Sequence, residues 1–239
     1  MPELPEHTSP KAARILAAAG ELLLGRGIRG VTIADVAAKA HIGKGTVYLY
    51  WKTKEELLLG LLARDFVALA DDVTEAITAD PDLARPSRLV PDMLSTAARH
   101  PFVSALRRDD DELLGALTDD PRSAKLLDTL GPDAVMYQAL PIWRRHDLAR
   151  TDWAFDDQAL ALHALLTGFL AVSTRGRHRP DSADPQQVLA KSVTALLGPE
   201  NATPGQVRAT AEEGLRELAE GRAIALDLIA APSLTTPGR

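Results

Sequence analysis

Thr32-Ile33-Ala34-Asp35-Val36-Ala37-Ala38-Lys39 is followed by Ala40-His41-Ile42-Gly43 and then by Lys44-Gly45-Thr46-Val47-Tyr48-Leu49-Tyr50. Thr32 is a residue type that caps a helix start, and Asp35, three positions on, complements the amide-rich end. Val31 and Val36 have the spacing of a hydrophobic staple across that start. The first helix therefore ends near Lys39, the four-residue link turns the chain, and Lys44–Tyr50 forms a second helix of about two turns. Helices this short are marginal alone in water, so both must pack on neighbours.

The neighbours are legible on either side. Ser9-Pro10 opens a preceding helix, with serine as cap and proline at the first helical position. Ile15, Ala18, Ala19, Leu22 and Leu23 recur on one face of it, and Gly25 and Gly27 mark its end. Downstream, Thr53-Lys54-Glu55-Glu56 has the form of a capping box. It opens a helix carrying Leu57, Leu58, Leu61, Leu62, Phe66 and Leu69 and stopped by Asp80-Pro81. A short helix, a tight link and a second short helix is the helix-turn-helix arrangement, whose second helix enters the DNA major groove.

Charge agrees with that reading. Residues 1–54 hold eight basic and four acidic groups, a net +4, whereas the other 185 residues hold 19 basic and 29 acidic groups, a net −10. A basic head on an acidic body places the polyanion at the head. Thr32 and Thr53 put hydroxyls and free amides at helix starts, which are seats for phosphate. Lys44 begins the groove helix, Gly45 omits a side chain where backbone and duplex approach, and Thr46 offers a hydroxyl and a methyl. Tyr48 reaches a phosphate through its hydroxyl, while Tyr50 points elsewhere on the helix and packs inward. Lys54 sits in a helix's first turn, where the dipole opposes its charge unless a phosphate lies opposite.

The run Gly30-Val31-Thr32-Ile33-Ala34-Asp35-Val36-Ala37, continued by Lys44-Gly45-Thr46-Val47-Tyr48-Leu49-Tyr50-Trp51-Lys52-Thr53-Lys54-Glu55-Glu56-Leu57, resembles the DNA-binding domain of TetR-family transcriptional regulators. With the first helix, the likeness covers roughly residues 10–60. It implies a homodimer with two DNA-reading heads and a C-terminal domain that often binds a small effector. Four positions depart from the family pattern. His41 replaces the usual glycine of the turn, where a left-handed backbone would cost histidine about 1–2 kcal/mol. Gly43 replaces a serine cap, a loss of only a few tenths of a kcal/mol. Leu49 stands where a polar, DNA-facing residue is common, so any base contact there is apolar, as to a thymine methyl. Trp51 replaces phenylalanine and reads as core.

Alanine (39 residues) and leucine (37) make up nearly a third of the 239 residues, while aromatics are 4%. That composition favours helices and disfavours a β-sandwich or barrel. The absence of cysteine excludes disulfides, thiol catalysis and cysteine-based metal sites. Met1–Pro10 has no apolar core of a secretory signal. Gln158–Thr174 lacks formal charges but is shorter than the roughly 20 residues of a span, and it reads as a helix buried on nearly all sides. A soluble, cytoplasmic protein without membrane association is expected.

Further helices are expected over about 86–99, 101–118, 121–149, 156–176, 184–197 and 204–230, with Gly131-Pro132 and Pro141 breaking or kinking the third. The expected fold is all-α: a helix-turn-helix domain over 1–54 joined to a helical effector-binding and dimerisation domain over 55–239, with 231–239 a frayed tail. Arg107–Glu112 reads as a solvated charged face. Met93, His100, Phe102, Met136, Tyr137, Trp143 and Phe169 are the candidates for lining an effector pocket, Trp153 being a further bulky group, although core packing explains such residues more often. Ala161, Ala164, Gly168 and Ala171 form a small-residue stripe that, with Leu189, Val193 and Leu196, suits a dimer interface. No histidine pair has metal-site spacing, no phosphate loop or nucleophile elbow occurs, and no cofactor is expected. The expected function is a repressor, not an enzyme, released from a palindromic operator on double-stranded DNA by a small, mostly apolar effector. Two rivals stand beside it: an effector-independent or partner-controlled regulator or activator, and an all-α enzyme with an incidental helix-turn-helix.

Overall fold

The computed structural model describes residues 4–106, 135–174 and 184–230, and among these there are helices and turns but no strand. The helices are α1 (Pro5–Thr8), α2 (Pro10–Arg26), α3 (Ile33–Lys39), α4 (Lys44–Tyr50), α5 (Lys54–Ala79), α6 (Pro86–Ala97), α7 (Pro101–Leu106), α8 (Leu140–Arg145), α9 (Phe155–Thr174), α10 (Pro185–Leu197) and α11 (Pro204–Ala230). A 3₁₀ turn, Pro81–Ala84, precedes α6, and a π turn, Val135–Ala139, precedes α8. The change from π to α geometry falls just before Pro141. This proline lies in the first turn of α8, where its missing N–H is not needed. The charged run 107–112, the Gly131-Pro132 break and the tail 231–239 lie outside the described residues.

The chain divides into two compact units. The described part of the first comprises residues 4–67, 101–106 and 222–230, and that of the second comprises 68–100, 135–174 and 184–221. Helices α5 and α11 each contribute residues to both.

In the first unit, Ser9 caps α2, accepting from Ala12 N through Oγ, and Pro10 follows it. Gly25 lies within the helix, and Gly27 ends it with a φ of 69° that a side chain would disfavour. Ile15, Ala19, Leu22, Leu23, Val31, Val36, Val47, Trp51, Leu57, Leu58 and Leu62 are buried, so the apolar positions read from the sequence form the core. Unanticipated is the short α1, which Arg64 of α5 ties down by donating Nε to Glu6 Oε1 (2.5 Å) and Nη2 to Glu6 Oε2 (2.6 Å). Burial raises the Glu6 pKa, but the hydrogen bonds and charge of Arg64 outweigh it and hold the carboxyl below its ordinary value. A depressed folded pKa contributes stability above the unfolded value, near pH 4.3, and loses it as pH falls through the folded value. Glu6→Gln is therefore expected to cost about 1–3 kcal/mol at neutral pH. Urea denaturation should show that difference shrinking below about pH 4.

In the second unit, Val73, Ile77, Leu89, Val90, Leu140, Trp143, Leu148, Leu162, Leu189, Val193, Leu197, Val207 and Ala211 form one core. Met93, Leu165, Leu166, Phe169, Leu215 and Leu218 pack on its edge. Trp143 donates its indole N–H to the Ala84 carbonyl at 3.0 Å. Arg85 and Ser87 at the start of α6 reach Glu200, and Arg88 bonds Asp80 and Asp82. The end of α8 and the loop after it are fixed to α11, with Arg145 and His146 on Glu213 and Gln206 on Asp147. Asp147 itself holds a left-handed φ of 57°.

Candidate nucleic-acid interface

The helix-turn-helix is built from local signals that the structure realises closely. Thr32 Oγ1 accepts from Asp35 N at 3.2 Å, and Asp35 Oδ2 accepts from Thr32 N at 2.8 Å, a complete capping box. The Thr32 hydroxyl also donates to Asp35 Oδ2 at 2.6 Å, and these bonds hold the carboxyl below its ordinary pKa. Thr32 is thus exposed but committed to a local cap, with a carboxylate beside it that repels phosphate. In the link, His41 adopts a φ of 54°, the left-handed conformation that favours glycine. Gly43 caps α4 without any side-chain hydrogen bond.

Helix α4 has two sides. Val47 is 0% exposed, and Tyr50 places its hydroxyl 2.6 Å from Ser9 Oγ while its ring lies 5.6 Å from that of the buried Trp51. On the other side, Lys44 and Gly45 are exposed, Tyr48 is 49% exposed and Leu49 73%. Thr46 is half-buried. A Cβ added at Gly45 would meet nothing within 4 Å, so packing within the chain does not require glycine there. By contrast, a Cβ at Gly30 would lie 2.5 Å from the Arg26 carbonyl oxygen, which explains that glycine by the fold alone.

The capping box expected at Thr53 is shifted by one partner. Glu56 N donates to Thr53 Oγ1 at 3.1 Å, but the Glu56 carboxylate reaches Lys52 N, at 2.8 Å, one residue before the expected amide. Lys54 donates Nζ to the Ile28 carbonyl at 2.8 Å, staple-like, across the head of the unit. That contact spans 26 residues and has no local sequence signal. Sequence reasoning also missed Asp65 on α5. Its Oδ2 accepts from the backbone N–H of Phe102 (2.7 Å) and Val103 (3.0 Å), anchoring the start of α7.

The residues read as effector contacts fall in both units. Phe102 is buried in the first unit. In the second, Trp143 is sealed in the core at 1% exposure, while Met93 and Phe169 are half-buried at its edge. His100 is buried with Nε2 3.3 Å from Asp72 Oδ2, and Tyr137 is 62% exposed beside Phe155. The Met136 side chain lies outside the described residues. The dimer candidates also divide. Leu189 and Val193 face the core of their own unit, so their apolar character is accounted for within one chain. Leu196, Ala161 and Ala171 are half-buried, whereas Ala164 and Gly168 are exposed, flanked by Leu160 at 69% and Val172 at 68%. Helix α9 is therefore not covered on nearly all sides by its own chain. Among the described residues no helix is long and apolar enough to cross a membrane.

Residues 15–61, from the second turn of α2 into α5, match the profile of bacterial regulatory proteins of the tetR family. The chain carries a TetR-family DNA-binding domain. It is a TetR-like transcription regulator with a DNA-binding helix-turn-helix, in a family for which ligand binding and dimerisation are typical. It is 25% identical over 190 residues to the fatty acid metabolism regulator protein of Bacillus subtilis (strain 168), covering 71% of this chain and 96% of that protein. The likeness of fold extends beyond the matched domain. The fatty acid degradation regulator FadR from Bacillus halodurans superposes with a TM-score of 0.54 at 17% identity, over 82% of this chain and 98% of its own. NemR from E. coli, in its reduced form, gives 0.56 at 22%, over 80% and 99%.

Proposed function

We propose that this regulator is a homodimeric repressor that grips a palindromic operator with α4 and releases it when a small, mostly apolar effector enters its helical domain. The observation that carries the reading is the two-sided α4: Val47, Tyr50 and Trp51 bind it to its own unit, while Lys44, Gly45, Tyr48 and Leu49 stand in solvent. The net +4 of residues 1–54, the DNA-reading domain in this proposal, supports a polyanionic partner. Residues 55–239 then supply effector binding and dimerisation. Two heads meet half-sites about 34–36 Å apart or a multiple of that. The partner copy covers the exposed line of Leu160, Ala164, Gly168 and Val172 on α9, with Val188 of α10.

The name of the Bacillus subtilis relative supports an acyl-chain compound as effector, with Met93 and Phe169 as the half-buried apolar groups that would meet it. Because α5 has residues in both units, a change in packing around its C-terminal half would reach the reading head. A coupling of about 1–3 kcal/mol changes operator affinity by roughly 5–150-fold. Operator titration with and without fatty acids and their thioesters tests this, and unchanged affinity across the series would remove the switching half of the proposal.

The cationic contacts have their own test. Lys44→Ala is expected to weaken operator and unrelated DNA alike and to lower the slope of log affinity against log salt by about one. Lys54→Ala should do the same and also lower thermal stability, because its ammonium bonds the Ile28 carbonyl. An effect of Lys44→Ala confined to one base position would contradict a phosphate contact.

A further inference from the structure

Leu49 is the most exposed of the large apolar side chains among the described residues, at 73%. Nothing in its own unit explains it: the inward side of α4 is made by Val47 and by Tyr50, whose hydroxyl meets Ser9. Leu49 lies four residues after Gly45, so the two share one line along the helix. That line contains no hydrogen-bond donor or acceptor on a side chain. Lys44 and Tyr48, beside it, carry the polar groups suited to phosphate.

In the major groove every base edge presents donors or acceptors, and the thymine 5-methyl is the single apolar group among the four bases. A leucine pressed on any other edge would strip water from polar atoms and return no hydrogen bond. We infer that Leu49 determines operator specificity by packing on a pyrimidine 5-methyl, so each half-site carries a thymine at that position and is recognised by its methyl group rather than by its hydrogen-bonding edge. This rests on the reading of α4 as the groove helix. It has a consequence beyond that reading: 5-methylcytosine presents the same methyl at the same place. A cytosine there makes a poor site, and methylating it restores binding.

The test uses the full-length protein on an operator mapped by footprinting. Each thymine is replaced in turn by deoxyuridine, which removes the methyl and nothing else. One position per half-site is expected to weaken wild-type binding about 4-fold, the effect of uncovering one methyl, and about tenfold or more when both half-sites are changed. Leu49→Ala should bind the unmodified operator more weakly and show no further loss on that deoxyuridine substitution. Leu49→Asn, which can pair bidentately with adenine, should move the preferred base at the same position. In wild type, a 5-methylcytosine–guanine pair there should bind better than the unmethylated pair. The inference is overturned if the deoxyuridine scan is flat on an operator that is otherwise bound, or if Leu49→Ala and wild type lose equally on the substitution. Failure to bind any duplex would instead strike the reading of α4 itself, and so the two failures are distinguishable. Circular dichroism of both variants, altered at an exposed position, confirms that the fold persists.

Discussion

Trp143→Ala is expected to destabilise the second unit by about 3–5 kcal/mol, the usual range for removing a buried indole from a packed core. Trp143 is 1% exposed and lies among Val73, Leu89, Leu140, Leu148 and Leu162. Its loss opens a cavity that these neighbours cannot close without leaving their own contacts. The indole N–H is also the hydrogen-bond partner of the Ala84 carbonyl, in the 3₁₀ turn that leads into α6. An orphaned buried acceptor costs a further 1–3 kcal/mol or so unless water enters. Against a typical whole-domain stability of about 5–15 kcal/mol the change is large, with a melting temperature lowered by roughly 10–20 °C. Trp143→Phe keeps a phenyl ring in the core while losing the donor and part of the indole volume. It should fall between wild type and Trp143→Ala. Urea denaturation gives the ordering. Effector titration gives a second criterion: a core residue changes stability with and without ligand alike, whereas a pocket-lining residue would change ligand affinity as well.

That contrast shows where sequence reasoning ends. The caps at Ser9 and Thr32, the proline and glycine helix ends and the inward positions of α2 and α5 were legible because each depends on residues a few positions apart. The exposed side of α4 was legible for the same reason, through the divergence of Tyr48 and Tyr50 on one helix. Leu189 and Val193 were a different matter. Apolar periodicity says that a side chain is covered, but not whether its own chain or a second copy covers it, and the structure places both in their own core. Trp143 and Met93 likewise have one chemistry and two possible surroundings. Lys54 on Ile28, Arg64 on Glu6 and Asp65 on the start of α7 join residues 26 to 58 positions apart. Such contacts are fixed by how helices cross, which no local pattern encodes.

The second large effect concerns a residue whose side chain is missing. Gly45 is exposed in the first turn of α4, and an added Cβ would meet nothing within 4 Å. Glycine within a helix costs roughly 0.5–1 kcal/mol relative to alanine, so Gly45→Ala is expected to stabilise the chain by up to that amount. The same change should weaken operator binding. A helix with its side chains is about 10–12 Å across, and the major groove is about 12 Å wide, so a turn seated deeply leaves little space for added atoms. Gly45→Leu, which adds a full side chain on the line of Leu49, should lower operator affinity on the order of 100-fold, or about 2.7 kcal/mol. Thermal denaturation and operator titration on the same two variants provide the decisive comparison. A glycine retained for the fold would make stability and affinity fall together. A glycine retained for the approach of a duplex makes them move in opposite directions, and with Gly45→Ala the more stable protein is then the poorer DNA binder.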